Sequence, residues 1–128
     1  MADARSGKRR VYDLEERLIA FAVMVLDIVE VLPDTRAGNH IAGQIVRCGT
    51  APAANYGEAQ SAESRIDFVH KMKICLKELR ETRVWLILIQ RKSLAGRGDK
   101  VSRALQECTE LAAIFNASIR TAKANIDK

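Results

Sequence analysis

Apolar residues recur along this chain at steps of three and four, the spacing that lines one face of an α-helix. Leu14, Leu18, Phe21, Val25, Ile28 and Leu32 form the first run. It predicts a helix from about Asp13 to Leu32, with Asp13 at its start and Glu16 at capping-box spacing. Pro33 in "LPDTRAG" ends it, because a proline disfavours helical backbone at the residue before it. A second run, Ile41, Ile45, Cys48, Pro52, Asn55 and Ala59, predicts a helix starting near Thr35 or Arg36. Its period passes straight through Pro52, so the segment is one helix kinked there or two pieces nearly in line. The third run is Phe68, Met72, Cys75, Leu79, Thr82 and Leu86. It predicts a helix from the stretch Ser61 to Ser64 to about Lys92, ended by the glycines of "LAGRGD". Val101, Leu105, Cys108, Ala112, Phe115, Ile119, Ala122 and Ile126 give the fourth, from about Asp99, its N-cap, to Ile126.

Four long amphipathic segments with short connections specify an all-α fold, an antiparallel up-and-down four-helix bundle with helix 2 kinked at Pro52. Residues 12–128 are expected to form this single domain, behind a flexible basic tail over 1–11. Composition agrees: of 128 residues, 48% are hydrophobic and only two are proline, so the chain can bury a core. The net charge of +5 admits nucleic acid or an acidic partner without requiring either. "LIAFAVMVL" is a nine-residue apolar run, too short for a membrane span of about 20 residues. No secretory leader is visible, and three cysteines without CxxC spacing fit a reducing cytoplasm. All three fall on seam positions, where cysteine acts as a small buried hydrophobe.

Some faces have no role in a monomer's core. His70, Lys73, Lys77 and Arg80 lie opposite the seam of the third helix as a basic stripe. The stripe is either a solvated face or a phosphate-binding one, and Lys8, Arg9 and Arg10 in the tail admit the same two readings. Farther on, "VWLILI" (Val84 to Ile89) is apolar on every side, and a helix apolar all round needs burial all round. Trp85 shares a flank with Ile74, Glu78 and Glu81, so this end is expected to pack against another subunit. Opposite the second helix's seam lie Gly43, Val46, Thr50, Ala53 and Gly57, small enough for close approach of a neighbour. Arg47 and Glu58 share one flank three turns apart, so each is expected to meet a partner on a neighbouring helix. Arg47, Glu58, Ile74, Glu78, Glu81, Val84, Trp85 and Leu88 are therefore the candidate oligomer interface.

Catalytic and recognition motifs fit poorly. A helix-turn-helix around Gly49 would want a small residue where Ile45 stands and an apolar one where Asn55 stands. Arg65 and His70 have the Arg-x4-His spacing of the helical nuclease domains called HEPN. They lie about 140° apart around a helix. Asp67 and His70 have the spacing of a di-iron ligand pair, but no second pair exists. There is no P-loop, nucleophile elbow or HExxH, and His40 has no evident partner. No metal, cofactor or catalytic residue is implied.

The stretch "RCGTAPAANYGEAQSAESRIDFVHKMKICLKELRETRVWL" resembles the bacterial four helix bundle protein family, also called the 23S rRNA-intervening-sequence proteins. Arg47, Pro52, Asn55, Tyr56 and Glu58 match its first segment. Glu63, Ser64, Asp67, Phe68 and Lys71 match the next. Leu76, Lys77, Glu78, Glu81, Thr82, Trp85 and Leu86 complete it. The resemblance implies an up-and-down bundle that assembles as a ring-like homopentamer with no established enzymatic activity. A related accessory variability protein of diversity-generating retroelements binds nucleic acid and a reverse transcriptase. RNA or DNA, and a reverse transcriptase, are therefore the partners it brings into view, with a scaffold or adaptor as the alternative role.

Overall fold

The computed structural model describes the backbone of residues 2–126 and the side chains of 14–126. Over that span there are four helices: α1 (Ala2–Val31), α2 (Arg36–Gln60), α3 (Arg65–Arg91) and α4 (Lys100–Ile126). α1 packs on α2 and α4, and α3 packs on the same two helices, so α1 and α3 stand at opposite corners of the bundle. Arg65 of α3 meets the end of α4 at Asn125, while Leu79 meets Cys108. α3 and α4 therefore run antiparallel, as the short loop between them requires.

The seams read from the sequence are the core. Leu18, Phe21, Val25 and Ile28 of α1 face Ile45 and Cys48 of α2, Met72, Cys75, Leu79 and Leu86 of α3, and Cys108 and Phe115 of α4. All are essentially inaccessible to solvent. Burying such side chains contributes roughly 1.5–3 kcal/mol each. A second row joins them: Tyr56, Leu76, Ile89, Ala104 and Leu111 are also buried. Tyr56 meets Phe115 edge to face, with centroids 6.0 Å apart.

Local signals fix most of the ends. Thr35 Oγ1 accepts from the Gly38 N–H at 3.0 Å, and Ser64 Oγ accepts from the Asp67 N–H at 3.0 Å. Each satisfies a donor that the first turn of a helix leaves free. Gly38 has no room for more, since a Cβ there would lie 2.0 Å from the Pro33 carbonyl oxygen. At the start of α4 the Asp99 carbonyl accepts from the Arg103 N–H at 2.9 Å and from Ser102 Oγ at 3.1 Å.

Two ends differ from the expectation. α1 reaches back to Ala2 rather than starting near Asp13, since nothing in 2–12 is a proline and most residues there are good helix formers. The side chains of Asp13, the expected cap, and of Lys8, Arg9 and Arg10 lie outside the described residues. α3 stops before the glycines of "LAGRGD". Ser93 adopts the left-handed conformation (φ 53°), and the Leu94 N–H reaches back to the Ile89 carbonyl at 3.0 Å, a Schellman-type stop. Gly96 and Gly98, with φ of 74° and 115°, then turn the chain toward α4.

α2 is one continuous helix with Pro52 inside it. A proline there costs about 3 kcal/mol of helix propensity. Pro52 is buried, with Cys75 Sγ 3.7 Å from its carbonyl oxygen, so packing must offset that cost.

Candidate functional site

Several polar residues of the family-like stretch, Arg47, Glu58, Lys71, Glu78 and Glu81, gather along the seam between α2 and α3. Arg47 leaves α2 and donates to Glu78 on α3 at 3.1 Å and to Glu81 one turn later. Glu81 also accepts from Trp85 Nε1 at 3.3 Å. His40, near the start of α2, meets the Trp85 ring edge to face with centroids 5.8 Å apart. At the other end of the seam Lys71 Nζ stands 3.9 Å from Glu58. The array is a clamp between two helices of one chain. Glu81, followed by Glu78, holds the Arg47 guanidinium above its usual pKa. Glu78 is only 7% exposed, so it needs the guanidinium as its partner.

A second clamp joins α1 to α4. Arg17 grips Glu107 with two bonds of 2.7 and 3.0 Å, and Glu110 lies 3.4 Å away. The bond to Glu107 raises the Arg17 pKa.

The cysteine thiols are not activated. The thiols of Cys48, Cys75 and Cys108 are free and buried. Burial pushes Cys75 and Cys108 up to about 12 and raises Cys48 as well, so all three stay protonated near neutral pH. Among the described residues no cluster of three or more His, Cys, Asp or Glu could hold a metal ion. Arg65 donates to the Asn125 carbonyl at 3.1 Å, while His70 stands exposed on the outer face, so the nuclease-like pair is not brought together. Among the described residues no helix is long and apolar enough to cross a membrane.

The expected site residues divide into two sets. His70, Lys73, Lys77 and Arg80 are all exposed on the outer face of α3. Lys73, Lys77 and Arg80 form no ion pair among the described residues. Of the expected interface, Arg47, Glu58, Glu78, Glu81 and Trp85 already have partners within the chain. Ile74 is half-buried, whereas Val84 (51%) and Leu88 (43%) point outward. One feature escaped the sequence reading: Ile19 (43%), Val23 (50%) and Leu26 (40%) form an exposed apolar strip on α1. Its signal was a three- and four-residue spacing opposite the core seam, hidden inside "LIAFAVMVL".

The profile of the 23S rRNA-intervening sequence proteins matches residues 12–121. The chain belongs to that family. Within the solved structures, this 23S rRNA-intervening sequence family member is similar to a protein of unknown function from the S23 ribosomal protein family of Bacteroides thetaiotaomicron. The two share 30% identity and superpose with a TM-score of 0.75, over 83% of this chain and 97% of that one. No curated protein matches. The family match spans both clamps, and Arg47, Glu58, Lys71, Glu78, Glu81 and Trp85, which carried part of the resemblance, are the residues that lock α2 onto α3.

Proposed function

We propose that the protein is a non-enzymatic, homo-oligomeric four-helix bundle whose outer helix faces pack against further copies of itself. The observation that carries this reading is the pair of exposed apolar strips, Ile19, Val23 and Leu26 on α1 and Val84 and Leu88 on α3. Large apolar residues in a row on a soluble helix point to a surface that is covered in the working state. Gly43 and Gly57 on the outer face of α2 support it. A Cβ at either would meet nothing within 4 Å in the chain, yet each glycine weakens the helix by about 1 kcal/mol. The family resemblance implies a ring of five copies. Sedimentation equilibrium tests the reading: a mass several times 14.2 kDa is expected, and a 14.2 kDa species at micromolar concentration would refute it.

A second reading rests on Lys73, Lys77 and Arg80, exposed and without an ion pair among the described residues: the face binds nucleic-acid phosphates. It predicts affinity for structured RNA that falls steeply as salt rises. Absent or salt-independent binding contradicts it.

A further inference from the structure

We infer that α1 of one copy docks lengthwise on α3 of a second copy, through two strips of equal length with apolar centres and opposite charges at their ends. The inference rests on the homo-oligomer reading and names the surfaces that make it. On α1 the outermost residues run Glu16, Ile19, Val23, Leu26, Glu30, at steps of three, four, three and four. That is an apolar centre closed at each end by a carboxylate. On α3 the outermost run continues Lys77, Arg80, Val84, Leu88, Arg91, at steps of three, four, four and three. That is an apolar pair, Val84 and Leu88, closed by two cations at one end, Lys77 and Arg80, and by Arg91 at the other.

Glu16 to Glu30 and Lys77 to Arg91 both span fourteen residues, about 21 Å of helix. Laid side by side, the two terminal carboxylates meet Lys77 and Arg91 while Val84 and Leu88 face the apolar centre of α1, and Arg80 lies beside Ile19 or Leu26, where its aliphatic stem can pack. All of these residues are exposed, and none of the four terminal charges forms an ion pair among the described residues.

The strips are complementary to each other, and neither is complementary to itself. Two α1 strips would oppose carboxylates, and two α3 strips would oppose cations. A two-fold dimer through either strip alone is therefore disfavoured. Because α1 and α3 occupy opposite corners of the bundle, each copy offers a donor face on one side and an acceptor face on the other. Such a head-to-tail contact repeats from copy to copy and closes into a ring where its rotation returns to the first copy. The docking also occupies Lys77 and Arg80, so the basic stripe of α3 serves assembly before it serves phosphate.

Charge reversal tests the pairing. Glu16→Lys with Glu30→Lys reverses α1, Lys77→Glu with Arg91→Glu reverses α3, and a third protein carries all four changes. Light scattering across a dilution series at low salt reads the dissociation midpoint, and far-UV circular dichroism confirms the helices. Each double reversal is expected to raise the midpoint about tenfold or more, and the fourfold variant to restore it. Val23→Gln, at a half-exposed site outside the core, is expected to weaken assembly similarly. Wild-type oligomers that all these variants leave unchanged would overturn the pairing while sparing the homo-oligomer reading. A monomeric wild type would overturn both. An α3 reversal that keeps the oligomer but loses binding to a structured RNA would overturn the pairing in favour of a phosphate surface.

Discussion

Gly49 and Gly43 lie on the same helix, and their replacement by alanine should have opposite effects on stability. In isolation each substitution favours the helix by about 1 kcal/mol. At Gly49 the new Cβ would lie 2.7 and 2.8 Å from the two Cγ atoms of Val25 and 3.1 Å from its Cβ. Rotating the valine does not relieve this, because its Cβ is itself too close and β-branching leaves few rotamers. α1 and α2 must therefore separate across a core where Val25 is fully buried. Overpacking of this kind costs typically 1–3 kcal/mol. Set against the helix gain, Gly49→Ala should lose up to about 2 kcal/mol net. Val25→Ala in the same chain should recover part of it, giving a coupling of at least about 0.5 kcal/mol in a double-mutant cycle. Gly43→Ala meets open space and should hold or raise the stability of the folded chain. Urea unfolding followed by circular dichroism reads the wild type, the three other members of the cycle and Gly43→Ala at one concentration. A Gly49→Ala protein as stable as Gly43→Ala would refute the close approach of α1 and α2 at this point.

The other predictions follow from the caps, clamps and thiols. Ser64→Ala should cost about 1 kcal/mol in urea unfolding by freeing the Asp67 N–H, and Ser64→Asp should keep most of that stability. Arg17→Met, which breaks a partly exposed bidentate pair, should cost no more than about 1 kcal/mol, and the loss should shrink at high salt. The folded-state pKa of Cys75 and Cys108 is raised to about 12, so the folded chain holds these protons more tightly than the unfolded one. Their contribution is present below the unfolded value of about 8.5 and is lost as pH rises toward 12. Cys108→Ala should accordingly flatten the fall of unfolding free energy between about pH 9 and pH 12. Native protein at pH 8 should also resist a thiol reagent that labels all three cysteines after unfolding.

Much of this fold is legible in the residues. A seam at steps of three and four states which side of a helix must leave water, and Leu18, Phe21, Met72 and Phe115 obey it. Thr35 and Ser64 sit where a hydroxyl can close a helix start, so those boundaries follow locally. What the residues leave open depends on the neighbour. Leu111 and Ala104 are buried because α4 is flanked by both α1 and α3, which widens its apolar face beyond one seam. Ser93 ends α3 in a conformation more usual for glycine, with two true glycines close behind it.

Arg47 was legible as a residue needing a partner on another helix. That the partners are Glu78 and Glu81 within the same chain depends on how α2 and α3 are aligned. The α1 strip shows the reverse problem. Ile19, Val23 and Leu26 are adjacent in sequence to true core residues, and only the fold separates the inward set from the outward one.

The central claim is that the outer faces of α1 and α3 are buried between copies of this chain. Native mass spectrometry of the wild-type protein tests it most directly by counting subunits. The account predicts a closed assembly at an integer multiple of 14.2 kDa, with five copies expected from the family resemblance. A single 14.2 kDa species under conditions that preserve other weak complexes would contradict it.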